Sequence, residues 1–97
     1  SLTDNFMNQI EISGASVTTV AAVLNVKRRI IQNTGDTAAY FSNVTGTTEQ
    51  IAARGIRLPG GVDATLILCE RETSPGEQLY FTCGGGDETV IRIIDTL

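Results

Sequence analysis

Short apolar runs, many alternating with polar residues, succeed one another along this chain, and clusters of turn residues separate them. The runs are rich in β-branched residues, and the turn clusters recur at intervals of about 8–12 residues, the spacing of a β-sandwich or barrel. Strands are expected over residues 9–12, 16–24, 28–32, 38–43, 49–53, 62–70, 78–83 and 89–95. Between them lie Ser13-Gly14, Asn33-Thr34-Gly35-Asp36, Thr45-Gly46-Thr47, Leu58-Pro59-Gly60-Gly61, Thr73-Ser74-Pro75-Gly76 and Gly84-Gly85-Gly86-Asp87. Each supplies the tolerance of positive φ, or the fixed φ, that a reversal needs. The Pro75-Gly76 turn predicts an antiparallel hairpin between 62–70 and 78–83. Residues 33–36 similarly predict pairing of 28–32 with 38–43. Eight short antiparallel strands in 97 residues suit two packed sheets better than one open sheet. The expected fold class is all-β: a small antiparallel β-sandwich, jelly-roll-like. Residues 11–97 would form this single domain. Residues 1–10 would precede it as an N-terminal arm, extended or, with Asp4 as cap, briefly helical.

One departure from alternation bears on function. A half-solvated strand alternates apolar and polar residues, yet Leu66-Ile67-Leu68-Cys69 is continuously apolar. Leu79-Tyr80-Phe81 and Val90-Ile91-Arg92-Ile93-Ile94 also offer apolar groups to both faces. Successive side chains point oppositely, so Ile91 and Ile93 cannot share the face of Val90 and Ile94. One set enters the core; the other needs a cover from the arm, a loop or another subunit. Covering a few hundred Å2 is worth several kcal/mol at about 25 cal/mol per Å2, before association costs. The expected partner interface comprises Leu2, Phe6 and Met7 on the arm with Ile91 and Ile93 on the last strand.

Composition removes many alternatives. With 41% hydrophobic and 19% charged residues, the balance is globular rather than disordered. No run approaches the roughly 20 apolar residues of a membrane-spanning helix, and no membrane partner is expected. Residues 1–11 lack the basic start and apolar block of a signal peptide, and Ser1 suggests a removed initiator Met or other trimming. Seven basic against 11 acidic residues leave a net charge of −4, which argues against nucleic acid as partner. Histidine is absent, and with it the commonest general base and metal ligand. Cys69 and Cys83, on neighbouring predicted strands, read as two small buried groups or as a disulfide. Without His they lack the ligand set of a structural zinc site.

The remaining polar features read as structural. Lys27, the only lysine, formally allows a Ser–Lys pair, but no nucleophile motif surrounds any serine. With Arg28 and Arg29 it suggests a solvated strand start. Glu70 and Glu72 flank Arg71, and Asp87-Glu88 opens the last strand; a glycosidase would need two carboxyls across a cleft, whereas these suit a solvated rim. No EF-hand spacing supports calcium binding. Gly84-Gly85-Gly86 lacks the Gly-Lys-Ser/Thr of a phosphate loop and reads as a loop tip. Asn43-Val44-Thr45 matches a glycosylation acceptor, relevant only in a secretory pathway. Five aromatics and no Trp weaken a sugar-binding reading, which would use Tyr40 or Tyr80. The chain is therefore expected to be no enzyme, with no cofactor and no metal.

The order of motifs supplies a candidate role. Arg29-Ile30-Ile31-Gln32-Asn33-Thr34-Gly35, Ala39-Tyr40-Phe41 and Gly55-Ile56-Arg57-Leu58-Pro59-Gly60-Gly61 are followed by Gly76-Glu77-Gln78-Leu79-Tyr80-Phe81 and Thr89-Val90-Ile91-Arg92-Ile93-Ile94. This series, spanning 27–95, resembles small β-sandwich structural proteins of tailed bacteriophages, of the capsid decoration (cement) type. The resemblance implies a non-enzymatic virion protein on the outer capsid surface, assembled in the bacterial host cytoplasm. It would bind the major capsid protein or other virion proteins as a homo-oligomer, a trimer being favoured. A tail, baseplate or fibre module of the same fold is the nearest alternative, and a carbohydrate-binding or adhesion sandwich the next.

Overall fold

A computed structural model describes residues 5–71 and 74–97. Its elements are β1 (Asn5–Ser13), β2 (Thr18–Val20), β3 (Arg28–Asn33), β4 (Ala39–Ser42), α1 (Thr48–Arg54), β5 (Ile56–Leu58), β6 (Thr65–Cys69), β7 (Leu79–Cys83) and β8 (Glu88–Thr96). They form two four-stranded sheets, ordered β1-β8-β3-β6 (sheet A) and β2-β7-β4-β5 (sheet B). All pairings are antiparallel. The pairs β1·β8, β2·β7, β3·β6 and β4·β5 are those of one long hairpin; rolling it over adds β3·β8 and β4·β7 and splits it into two layers. This is a jelly roll, and the all-β sandwich expected from the strand spacing is what forms.

The local pairings differ from expectation. β3 and β4 lie in opposite sheets, and β6 pairs with β3 whereas β7 pairs with β2 and β4. The turns around Gly35 and Pro75 do reverse the chain, but they carry it from one sheet to the other. A strand with a buried face can satisfy that face by packing across the core as well as by pairing beside its neighbour.

Residues 49–53 are helical rather than extended. Thr47 Oγ1 accepts from the Gln50 amide at 3.2 Å, and Gln50 Oε1 accepts from the Thr47 amide at 3.0 Å. This capping box starts α1, and Glu49 and Arg54 sit at the ends that suit their charge. Ile51 anchors the helix and is buried.

The arm is also revised. Residues 5–10 belong to β1, which pairs with β8 from Asn5↔Thr96 to Ser13↔Glu88. Ile10 and Ile12 face the core, and extending the ladder toward Asn5 pairs backbone groups that an arm would leave to water. The expected strand 16–24 shortens to β2, with Asn25 at φ 64° in the turn that follows.

The core contains Ile12, Ile31, Ala39, Phe41, Leu58, Leu79, Phe81, Cys83, Ile91 and Ile93. Phe41 and Phe81 stack with centroids 5.2 Å apart. Ile91 and Ile93, expected at a partner interface, are 0% and 1% exposed. The odd-numbered side chains of β8 point toward sheet B, so the outward set is Val90, Arg92 and Ile94.

Two polar side chains bind the layers. Arg29, expected in solvent, is fully buried. Its Nε and Nη2 donate to Asp95 Oδ1 and Oδ2 at 2.6 and 2.9 Å, and Nη1 donates to the Glu77 carbonyl at 3.3 Å. Arg29 and Asp95 are directly opposed on β3 and β8, which favours this fork-to-fork contact. Asn33, also buried, donates from Nδ2 to the Thr37 and Leu58 carbonyls at 2.8 and 2.9 Å. Its Oδ1 accepts from Gly35 N and Thr89 Oγ1. Cys69 lies on edge strand β6 of sheet A and Cys83 on β7 of sheet B, and the two are not bonded to each other.

Candidate interaction surface

With the core filled by one face of each sheet, the outer face of sheet A is what remains to be explained. Directly opposed residues in antiparallel strands share a face. Following the register, Met7 opposes Ile94, Ile94 opposes Ile30, and Ile30 opposes Ile67. These four form an apolar row across all four strands on the outside of the sandwich. The edge members are well exposed, Met7 at 62% and Ile67 at 56%, while Ile30 and Ile94 are half-buried between them.

Polar rows flank it. On one side Gln9, Arg92, Gln32 and Thr65 oppose one another in turn; on the other stand Thr96, Arg28 and Cys69. Arg92 is central, and its Nε is buried without a hydrogen-bond partner among the described residues. Beside it Gln32 donates from Nε2 to the Asp63 carbonyl at 3.4 Å, which leaves its Oε1 pointing to no donor among the described residues.

A second apolar surface lies at one end of the sandwich. Phe6 points to the inner side of β1, but the three-residue β2 is too short to cover it, and it is 55% exposed. With Val23 and Leu97 it lines a depression of about 350 Å3. Leu24, 82% exposed, lies beside Val23 just before the left-handed Asn25. Met7 borders this depression too, so the two surfaces meet at the β1 edge.

Of the expected interface residues, Phe6 and Met7 are therefore exposed on opposite faces of β1. Leu2 lies outside the described residues, and Ile91 and Ile93 are in the core. Ile30, Ile67 and Ile94, which share the outer face with Met7, were not among the expected residues. Each sits in a run that is apolar on both faces, but only the register aligns them.

The chemistry of the remaining groups is quiet. Among the described residues no group of three or more Cys, Asp or Glu is placed to hold a metal ion. The Cys83 thiol is pushed above the ordinary 9.0 by burial, with Asp87 and Glu88 adding to the shift. Its Sγ contacts the Ile12 and Asp87 carbonyls at 3.5 and 3.3 Å. Gly84-Gly85-Gly86 forms the β7–β8 loop, closed by Asp87 N donating to the Gly84 carbonyl. Tyr40 lines a depression with Thr48 and Ala52 of α1 and, like Tyr80, is partly buried. No helix among the described residues is long and apolar enough to cross a membrane.

Fold and surface together define a small jelly-roll module with two exposed apolar patches. No protein-family model and no curated protein matches the sequence. Similar solved structures include an HTH_3 family transcriptional regulator from Vibrio cholerae, with a TM-score of 0.62 and 6% identity over 98% of this chain and 44% of that one. A cupin-2 domain containing protein from Shewanella frigidimarina gives 0.56 and 9% over 100% and 74%. The hydroxypropylphosphonic acid epoxidase from S. wedmorenis gives 0.56 and 7% over 97% and 44%. The chain thus spans less than half the length of the regulator and the epoxidase, and at these identities the likeness is one of fold alone.

Proposed function

We propose that this chain is a non-enzymatic structural protein of a tailed-bacteriophage virion, a capsid decoration (cement) protein on the outer shell. The observation that carries the reading is that a sandwich with a filled core displays two further apolar surfaces, one across sheet A and one at its end. A clamp needs two such surfaces, one for the shell and one for a neighbour. Its partners are the major capsid protein and further copies of itself, and assembly takes place in the host cytoplasm. Each contact is modest, and many copies act together across capsomer seams. A net charge of −4 is no handicap outside the shell, away from packaged DNA. The lack of histidine and the raised Cys83 thiol support a role without catalysis. The resemblance of residues 27–95 to decoration proteins supplies the virion context.

The test is rebinding to heads of the source phage stripped of this protein. Wild-type chain restores copies in the hundreds per head, and Leu24→Asp with Phe6→Asp loses rebinding while the thermal midpoint holds. Unchanged occupancy of that variant overturns the shell contact. A chain found only in small numbers at the tail overturns decoration in favour of a tail or fibre module.

A further inference from the structure

We infer that the apolar row on the outer face of sheet A is the contact between two copies of this chain, packed face to face about a twofold axis parallel to the strands. This assigns the contact between copies to one face and one symmetry, and rests on the proposed function only for its biological setting. Three observations favour a second copy as occupant.

The row is self-complementary. The axis sets Met7 over Ile67 of the second copy and Ile94 over its Ile30, apolar against apolar at every position of the row. The polar row beside it meets itself as well. Arg92 comes over Gln32 of the second copy, so its guanidinium faces the Oε1 that Gln32 leaves open by donating only from Nε2. Arg92 is offset by one strand from Arg92 of the second copy.

The face also has suitable dimensions. Four strands spaced by about 4.8 Å and mostly about 20–30 Å long give a projected area on the order of 500 Å2. Side-chain relief brings this near the roughly 800 Å2 per partner of a standard interface. Sheets that pack aligned cross at about 30°, which separates the corners, where Glu11 would otherwise approach Asp63 of the second copy. Closed twofold pairing is the commonest symmetry of soluble oligomers, and it replaces the expected trimer as the elementary contact.

Light scattering of the full chain over rising concentration tests this. The expected mass climbs from 10.3 kDa toward twice that value, with Kd on the order of micromolar. Ile67→Asp weakens the dimer by about tenfold or more and leaves the thermal midpoint in place, because Ile67 is an exposed edge residue. Arg92→Met weakens it while keeping the fold. In a Cys69→Ser background, oxidised Met7→Cys/Ile67→Cys chains form a covalent dimer, since the two positions lie on opposite edges of their own sheet and opposite each other across the axis. A strict monomer at all concentrations, a trimer, or no covalent dimer overturns the inference. A strict monomer that still rebinds heads leaves decoration standing, and a dimer absent from every particle does the reverse.

Discussion

Replacing Asp95 by Asn removes the partner of a fully buried guanidinium while changing little in shape. Arg29 holds Asp95 through two bonds of 2.6 and 2.9 Å, and its third donor reaches only the Glu77 carbonyl at 3.3 Å. With 0% of Arg29 exposed, water cannot replace the lost carboxylate. Breaking one side of such a pair costs about 3–5 kcal/mol, because the surviving charge stays desolvated. A domain of this length has roughly 5–15 kcal/mol in total, so Asp95→Asn takes a large share. At about 4–8 °C per kcal/mol, the thermal midpoint drops by at least roughly 12 °C. Arg29→Met/Asp95→Leu removes both charges and refills the volume, and it should recover most of that loss. What it does not recover is the donor to the Glu77 carbonyl, worth about 1 kcal/mol. Urea unfolding followed by circular dichroism, with both single variants and the double, gives the coupling directly. If Asp95→Asn costs less than about 1 kcal/mol, or the double variant is no better than the singles, then the pair is not desolvated and the reasoning fails.

The other predictions concern close backbone approach and the buried thiol. Gly14→Ala would drive a Cβ into the Gly84 carbonyl oxygen, a clash with backbone that no rotamer relieves, and should cost about 2–4 kcal/mol; Gly85→Ala, with nothing within 4 Å among the described residues, should change stability by less than about 0.5 kcal/mol, and equal losses would remove the packing explanation. Cys83 should react with a thiol reagent only on unfolding, after Cys69, because its thiol is buried and held protonated. Since the folded chain holds that proton more tightly than the unfolded one, the associated stability is intact below pH 9.0 and is lost as pH rises above it. Urea midpoints should therefore fall more steeply at alkaline pH in the wild type than in Cys83→Ala, and parallel profiles would contradict this.

Fold class was legible in the sequence because it rests on period and spacing, which are local. The runs around Ile31, Phe81 and Ile93 are strands wherever they pair. Pairing itself was not legible, because the turns at Gly35 and Pro75 specify a reversal and not which sheet receives the next strand. The helix was signalled by Thr47 and Gln50 three residues apart, yet Ile51 alone in that segment gives no period strong enough to separate helix from strand. Arg29 misled for a related reason. After Lys27 and Arg28 it completes a basic triplet, and only the β3–β8 register reveals that it turns inward onto Asp95. The outer apolar surface was half legible. Apolar residues on both faces of the last strand announced an outer patch, but choosing between Ile91/Ile93 and Val90/Ile94 needed to know which parity faces sheet B.

The central and edge members of the outer row have different explanations, and the difference matters for function. Ile30 and Ile94 are opposed on adjacent strands, and a β-branched cross-strand pair there stabilises sheet A by roughly 0.2–1 kcal/mol without any partner. Met7 and Ile67 are only half accounted for in this way, through Ile94 and Ile30 respectively. Each has a neighbouring strand on one side only, and each leaves more than half of itself in solvent. An edge position of this kind is where natural sheets place charge or proline to discourage association. An apolar residue at both edges, in line with an apolar pair between them, favours contact instead. The edges, not the centre, are therefore the diagnostic positions. Replacing Met7 and Ile67 by Thr removes apolar area from the proposed interface while leaving strand propensity intact, whereas the same change at Ile30 and Ile94 loosens the sheet itself.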